Sequence, residues 1–360
     1  MTDALSRYLA LASLRAGIGR MGKLALLEAL PLEAIWQRAE QDSLPGWTPK
    51  QCQQLLTPDP AMLEQALSWQ ESAPDRHIVT LADPRYPLPL KAIADPPLVL
   101  FVEGQDAVLS QPAVAMVGSR NAALNSLALA RSWSAELAEA GVVVISGLAV
   151  GIDGACHEGA LTQGQTLAVQ GCGLSHCYPK RHRALADRIR QNGALISEYW
   201  PVQPVRAHQF PQRNRIVSGL SYGVIVLEAG LKSGSLITAR LAAEQGREVF
   251  AVPGSVDDPR RSGCHWLIQQ GAKLATRPVD ILEELLPQWR EPASKRAALT
   301  NTDLPDPALL DRVGYEITPV DCLVQACGLT VGEVLEQLTE LELDGRIAAV
   351  PGGYVRLRGG

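Results

Sequence analysis

Several features that would indicate a membrane, secreted or metal-binding protein are missing from this sequence. No stretch approaches the ~18 consecutive apolar residues that a membrane-spanning helix needs. The N-terminus lacks the apolar core and cleavage site of a signal peptide. The seven cysteines are an odd number and form no CxxC pair. We therefore expect a cytoplasmic protein with reduced thiols and no membrane span.

The nearest approach to a metal-binding pattern is the pair Cys172 and Cys177, with His176 between them and His182 nearby. Zinc sites usually combine two ligand pairs at short spacing. This stretch has no second ligand pair, and Pro179 interrupts it. We predict neither a metal nor a cofactor.

Excess positive charge is also missing, since the formal net charge of the 360 residues is −5. The chain is therefore not a protein that binds polyanions through its overall charge. Its basic residues are concentrated instead. Residues 180–190 contain five Lys or Arg against one acid, and residues 206–215 contain three Arg and one His without an acid. Such clustering predicts a local anion site.

Two common nucleotide-binding motifs fail when they are tested against the sequence. Gly171-Cys172-Gly173 begins like the dinucleotide motif GxGxxG, but His176 stands at the sixth position. Residues 230–235 lack the leading glycine of a Walker A loop. Phosphate recognition in this chain would have to use other turns.

Short apolar runs alternate with amphipathic segments of helical length in the middle of the chain. This alternation predicts an α/β protein with a parallel sheet buried on both faces. The runs lie at residues 113–117, 142–145, 167–173, 194–197, 224–227 and 249–254. Earlier runs at residues 77–81 and 98–102 predict two further strands, with a proline-rich connector between them that we expect not to be helical.

Turns of small and basic residues follow several of these strands. They are Gly118-Ser119-Arg120, the stretch from Ser146 and Gly147 to Asp153, and Ser233-Gly234-Ser235 beside Lys232. The carboxyl ends of parallel strands meet at one sheet edge, where ligands bind. We therefore predict a phosphate-binding groove there, with Asp153 as a helix cap.

The segment from His208 to Ser221 combines Phe210 with the sequence Arg-Asn-Arg at residues 213–215. Arginine for phosphate, asparagine for a base or ribose and phenylalanine for stacking are typical of single-strand recognition. Alternatively, Phe210 packs in the core and the arginines pair with Glu198 and Glu228. The pattern alone leaves both readings open.

The two ends of the chain predict domains of different architecture from the central sheet. Residues 1–72 predict a small all-helical domain like SAM or helix-hairpin-helix domains, in which Gly17-Ile18-Gly19 is either a helix-hairpin-helix turn or a plain tight turn. The sheet domain then spans residues 76–290, with a linker at 291–307. Two helices and a hairpin in residues 308–360 predict a winged helix, with Thr330 and Glu333 as a capping box.

Read together, the motifs of the sheet domain resemble the DNA-processing protein A family (DprA, or Smf). They include Gly118-Ser119-Arg120, Ser146 to Asp153, Tyr178-Pro179, Phe210 to Ile216, Ser233 to Ala239 and Val252-Pro253-Gly254. The resemblance implies an extended Rossmann-like fold. It also implies a dimeric recombination mediator that binds single-stranded DNA and delivers RecA recombinase in natural transformation.

Carried over by motif, the resemblance implies a set of DNA contacts and no catalysis. The contacts are Ser119, Arg120, Ser146, Lys180, Arg213, Asn214 and Arg215, with Gly118, Gly147, His208, Phe210, Lys232 and Ser233 as weaker candidates. The fold also resembles nucleoside-monophosphate phosphoribohydrolases. This chain lacks their Pro-Gly-Gly-x-Gly-Thr loop, and only Glu198, Glu228 or Asp153 could serve as the general acid or base.

The charge of the predicted winged helix argues against DNA contact. Residues 301–360 hold ten acids against four arginines, and such a surface repels a polyanion. We expect the domain to contact protein: a partner, a second subunit or the basic groove itself. A solvated acidic face is the alternative.

Deleting residues 300–360 should therefore leave the affinity for single-stranded DNA unchanged, or raise it if the acidic face competes for the groove. Fluorescence anisotropy on the truncated and full-length chains measures this. A large loss of binding in a truncated protein that still folds would contradict the charge argument.

Overall fold

The protein is described by a computed structural model that covers residues 4–14, 18–285 and 309–357. Its centre is a nine-stranded sheet in the order β1-β2-β6-β5-β4-β3-β7-β8-β9. The strands are β1 Arg76–Thr80, β2 Val99–Gly104, β3 Ala113–Val117, β4 Val143–Ser146, β5 Thr166–Val169, β6 Gly193–Ser197, β7 Gly223–Val226, β8 Glu248–Ala251 and β9 Lys273–Leu274. Strands β3 to β9 pair in parallel, whereas β2 pairs antiparallel with both β1 and β6.

Helices cover both faces of the sheet, which confirms the predicted α/β class. They are α6 Leu88–Lys91, α7 Leu124–Glu139, α8 Ile152–Gln163, α9 Arg183–Gln191, α10 Gln209–Gly219, α11 Ser235–Glu244, α12 Ser262–Gln269 and α13 Pro278–Leu285. Alternate residues of β3 point to opposite faces of the sheet. Val114 and Met116 pack in one hydrophobic cluster, and Ala115 and Val117 pack in another. This is why its five residues are all apolar and all buried.

The order of the strands defines one switch point. Strand β3 lies between β4 and β7, and the chain runs outward from it first through β4, β5 and β6 and later through β7, β8 and β9. The connections on its two sides therefore leave in opposite directions and open a crevice beyond its carboxyl end.

The connector between β1 and β2 differs from expectation in one detail. It contains the short helix α6, although the prolines predicted none. Pro89 is tolerated because it lies in the first turn, where a helix needs no amide donor.

The two flanking domains have the predicted elements, helices at the N-terminal end and two helices with a hairpin at the C-terminal end. The N-terminal helices are α1 Ala4–Ser13, α2 Arg20–Ala29, α3 Leu32–Glu40, α4 Pro49–Leu56 and α5 Pro60–Glu71. The winged helix consists of α14 Val320–Cys327, α15 Val331–Leu343, β10 Ile347–Val350 and β11 Gly353–Arg356. The capping box of Thr330 and Glu333 is confirmed. The turn at Gly17 and the linker at 291–307 lie partly or wholly outside the described residues.

A buried charge network joins the N-terminal helices to the sheet domain. Arg215 of α10 binds Glu198 through both terminal nitrogens, each at 2.7 Å, and its Nε lies 3.0 Å from Asp95 Oδ2. Arg20 of α2 binds the same two acids, at 3.0 Å and 2.9 Å. The side chains of Arg215 and Glu198 are each 8% exposed. Two acids thus satisfy two guanidinium groups from different domains.

Replacing Glu198 by alanine should lower the free energy of unfolding by roughly 3–5 kcal/mol, because it leaves the buried charge of Arg215 without its main partner. Urea denaturation measures the loss. Arg85→Ala is the control, because Arg85 is 44% exposed in its pair with Asp83 and such pairs contribute about 1 kcal/mol or less. Equal losses in the two variants would contradict this interpretation.

Candidate nucleic-acid interface

A cavity of about 870 Å³ lies at the switch point, beyond the carboxyl ends of β3, β4, β7 and β8. We call it the groove. The predicted turns do converge there, since residues from three of them line it. The lining includes Gly118, Ser119, Arg120, Gly147, Asp153, Tyr178, Phe210, Arg213, Asn214, Lys232, Ser233, Ser235, Thr238 and Arg260.

An aromatic pair with a cation over it forms one wall of the groove. The Phe210 ring is half-buried, and its centroid lies 5.2 Å from that of the Tyr178 ring. The guanidinium carbon of the exposed Arg120 lies 5.9 Å from the Phe210 centroid. A side chain at Gly171 would collide with the Phe210 ring. Phe210 is therefore part of the site and not of the core.

Arg213, a predicted DNA contact, lines the groove but is buried. Only 4% of the residue is accessible, and its Nη1 donates to the carbonyl oxygens of Val169 and, at 2.8 Å, of Gly147. Burial lowers the pKa of this guanidinium, and the nearby Asp153 opposes that shift. A Cβ at residue 147 would collide with the guanidinium, so the glycine is required for this packing.

Asp153 is not the cap of α8, which corrects another prediction. Gly151 holds the cap position, and Asp153 lies inside the first turn. Its Oδ2 accepts hydrogen bonds from the amides of Gly147 at 3.1 Å and Ala149 at 3.4 Å. Burial raises the pKa of this carboxyl, although Arg213 acts in the opposite direction. The carboxylate therefore occupies amides that the sequence suggested for a phosphate.

Two residues that were predicted to contact DNA instead make contacts within the fold. Ser146 is fully buried, and its hydroxyl donates to the Met116 carbonyl oxygen at 2.6 Å, because β4 is an interior strand of the sheet. Arg215 is held in the buried network with Glu198 and Asp95. The alternative reading of Arg215 as an ion-paired residue is thus confirmed for Glu198, whereas Glu228 accepts a hydrogen bond from Ser126.

Two other candidates lie outside the groove lining. Lys180 is exposed in the 3-10 helix Lys180–His182 and lines a neighbouring cavity on the other side of Tyr178. His208 is exposed just before α10. Conversely, Tyr178 and Arg260 line the groove without having been predicted as contacts. The turn after β8 could have indicated Arg260, since it follows the same strand-end rule as the other turns.

The opposite wall of the groove contains the start of α11. Lys232 is exposed there, and the Ser233 and Ser235 hydroxyl oxygens lie 2.6 Å apart. Arg260 projects from the turn after β8 with its Nε 2.9 Å and 3.1 Å from the two Asp258 carboxylate oxygens. Hydrogen bonding to Asp258 raises the pKa of Arg260. Lys232 and Arg120 have no acidic partner among the described residues.

The winged helix contacts the sheet domain close to this wall. Asn125 Nδ2 of α7 donates to the Tyr315 carbonyl oxygen at 2.8 Å. Besides Asp258, the carboxylate of Glu316 contributes to the raised pKa of Arg260. An acidic residue of the C-terminal domain therefore acts on a cation of the groove.

The three carboxylates that could serve a hydrolase as general acid or base are ion-paired or hydrogen-bonded within the fold. Glu198 is ion-paired with Arg215, Asp153 accepts two amide hydrogen bonds, and Glu228 accepts from Ser126 at 2.6 Å. A GxSxG sequence at residues 219–223 precedes β7 instead of following it, and its Ser221 is buried.

In the described ranges, no group of three or more His, Cys, Asp or Glu could hold a metal ion, and no helix has the length and apolarity to cross a membrane.

Fold and site together define a Rossmann-like α/β protein with a cation-lined groove at the switch point of its sheet. Residues 77–286 match the family model of DNA recombination-mediator protein A, and residues 292–353 match that of the DprA winged helix domain. The chain belongs to the DNA recombination-mediator protein A family.

Known proteins of this family resemble the chain over most of its length. Protein Smf of Escherichia coli is 47% identical over 87% of this chain and 86% of its own. DNA processing protein A of Streptococcus pneumoniae superimposes with a TM-score of 0.70 at 36% identity, over 79% of this chain and 99% of that one. A Helicobacter pylori structure, described in terms of its single-stranded DNA binding mode, has a TM-score of 0.54 at 31% identity, over 59% of this chain and 98% of that one. The Streptococcus pneumoniae and Helicobacter pylori relatives are both named DNA processing protein A.

Proposed function

We propose that this protein binds single-stranded DNA in the groove and does not act as an enzyme. The observation that carries the proposal is the exposed Arg120 guanidinium over the Phe210 ring at the switch point. An aromatic face stacks on any base and an adjacent guanidinium binds the phosphate, so together they recognise a strand without reading its sequence. Ser119, Asn214, Lys232 and Ser233 supply further polar contacts from the same lining.

The aromatic rings of Phe210 and Tyr178 in the groove favour a single strand over a duplex. The bases of a duplex are stacked on one another, so they cannot also stack on Phe210 or Tyr178. The concave lining, with aromatic rings on one wall and Lys232 on the other, suits an unpaired strand. The Helicobacter pylori relative, whose structure is described as binding single-stranded DNA, supports this choice.

The wider role follows from the family. We propose that the protein acts in the cytoplasm, as a homodimer formed through the Rossmann-like domain. There it would help to load RecA recombinase onto DNA taken up in natural transformation. Matches to two proteins named DNA processing protein DprA, over 58% and 57% of the chain, support this role.

The affinity for single-stranded DNA should fall steeply with salt, because the bound phosphates release counterions. We expect a log–log slope of about −0.7 for each phosphate that is neutralised, and no strong sequence preference. Fluorescence anisotropy with oligothymidine and mixed-sequence strands measures both. An affinity that does not change with salt would mean that the cations of the groove do not contact the strand.

Arg120→Ala should weaken binding roughly tenfold or more, because it removes a charge-assisted phosphate contact. Its melting temperature should hardly change, since the side chain is exposed. Arg131→Ala is the matched control: Arg131 is also exposed, pairs with Glu158 and lies outside the groove. Arg213→Ala should instead lower stability as well, because its guanidinium is buried. If Arg120→Ala binds as tightly as Arg131→Ala, the proposed site is wrong.

A further inference from the structure

The buried carboxylate of Glu228 has no part in the groove lining or in an ion pair. Glu228 lies just after β7 and is 0% exposed. Among the described residues it forms no direct ion pair, and its Oε1 has no hydrogen-bond partner. A buried carboxylate that is only partly satisfied is costly to the fold, so its position calls for a functional reason.

This carboxylate lies against the turn that carries Arg120. Glu228 Oε2 accepts a hydrogen bond from the amide of Ala123 at 3.2 Å, and the Glu228 backbone carbonyl oxygen accepts one from the amide of Ser119 at 2.8 Å. A Cβ at residue 118 would lie 3.0 Å from the same carbonyl oxygen, so the turn packs directly on Glu228. One residue therefore holds the turn on both sides of Arg120.

The hydroxyl of Ser126 connects the carboxylate to a buried cation. It donates to Glu228 Oε2 at 2.6 Å and accepts from Arg261 Nη2 at 2.8 Å. Arg261 is 5% exposed, and its Nη1 donates to the Leu227 carbonyl oxygen at 2.6 Å. Without the hydroxyl, attraction between the two opposite charges would draw the carboxylate toward Arg261 and away from the turn.

We propose that Glu228 and Ser126 are positioning residues for the phosphate contact of Arg120. Glu228 holds the turn, and Ser126 holds the carboxylate of Glu228. A turn that is already fixed loses less conformational entropy when the arginine binds a phosphate, so the affinity is higher. The proposal rests on single-strand binding in the groove, and neither positioning residue touches the strand.

The test is fluorescence anisotropy with oligothymidine on the full chain. Ser126→Ala should lower the affinity roughly fivefold, because it removes the hydrogen bond that orients Glu228. The log–log salt slope should be smaller by about 0.7, the signature of one lost phosphate contact. A smaller fraction of folded protein lowers the number of binding sites and leaves this slope unchanged. Ser126→Thr keeps the hydroxyl and should recover most of the affinity.

Ser134→Ala is the matched control. Ser134 is also fully buried in α7, but its hydroxyl donates to the Arg131 carbonyl oxygen of the same helix at 3.1 Å. It does not line the groove. The two variants therefore differ in whether the lost hydroxyl reaches Glu228. If they bind oligothymidine with the same affinity and the same salt slope, the proposal is wrong.

Adding Arg120→Ala shows whether the effect passes through that arginine. In this background Ser126→Ala should cause no further loss of affinity, because the contact that it positions is already absent. An additive loss would overturn the proposal. Failure of the groove itself looks different, since Arg120→Ala alone would then bind normally and refute both proposals. A normal Ser126→Ala beside a weakened Arg120→Ala refutes only this one.

Ala123→Pro tests the same contact without exposing the buried charges to a change of partner. It removes the amide that donates to Glu228, and the φ of −64° at residue 123 suits proline. The affinity and the salt slope should fall as in Ser126→Ala. If Ser126→Ala does not fold, this variant decides the question, and a normal affinity with a normal slope overturns the proposal.

Discussion

Helix α10 carries two guanidinium groups into the interior, and the groove depends on how each charge is satisfied. Arg213 donates to backbone carbonyl oxygens at the ends of β4 and β5, and Arg215 binds Glu198 and Asp95. A buried charge without partners is strongly destabilising, so these contacts fix the helix in one position. Phe210 and Asn214, on the same helix, are thereby held at the groove.

The protein separates cations that hold the fold from cations that remain open to a ligand. Arg213 and Arg215 are buried and hydrogen-bonded within the fold, whereas Arg120 and Lys232 are exposed without an acidic partner among the described residues. Asp153 adds to this separation, because its carboxylate takes the place of an outside anion at the turn after β4. A chain with net charge −5 can thus present a local cationic surface.

The winged helix extends the same electrostatic arrangement. Its acidic sequence is unsuited to the phosphate backbone, and its contact with the sheet domain lies beside the groove, where Glu316 acts on Arg260. The N-terminal helices contact the sheet domain through Arg20, which binds the two acids that also hold Arg215. Both flanking domains therefore contact residues that support or line the groove.

The sequence by itself determined eight of the nine strands of the central sheet and the meeting of the turns at one sheet edge, because these follow from local periodicity and from parallel topology. It did not indicate the two-residue strand β9 or the short helix α6. It also contained the capping box of α15, since a cap depends on residues three apart. Only the tertiary structure decided which polar groups face the groove. Residues 213–215 look equivalent in sequence, but each step along a helix turns the side chain by about 100°. The acceptors of Arg213 and Arg215 come from β4, β5 and distant loops. The role of Ser146 was likewise decided by a partner elsewhere in the fold, the Met116 carbonyl oxygen of the neighbouring strand, which local pattern does not encode.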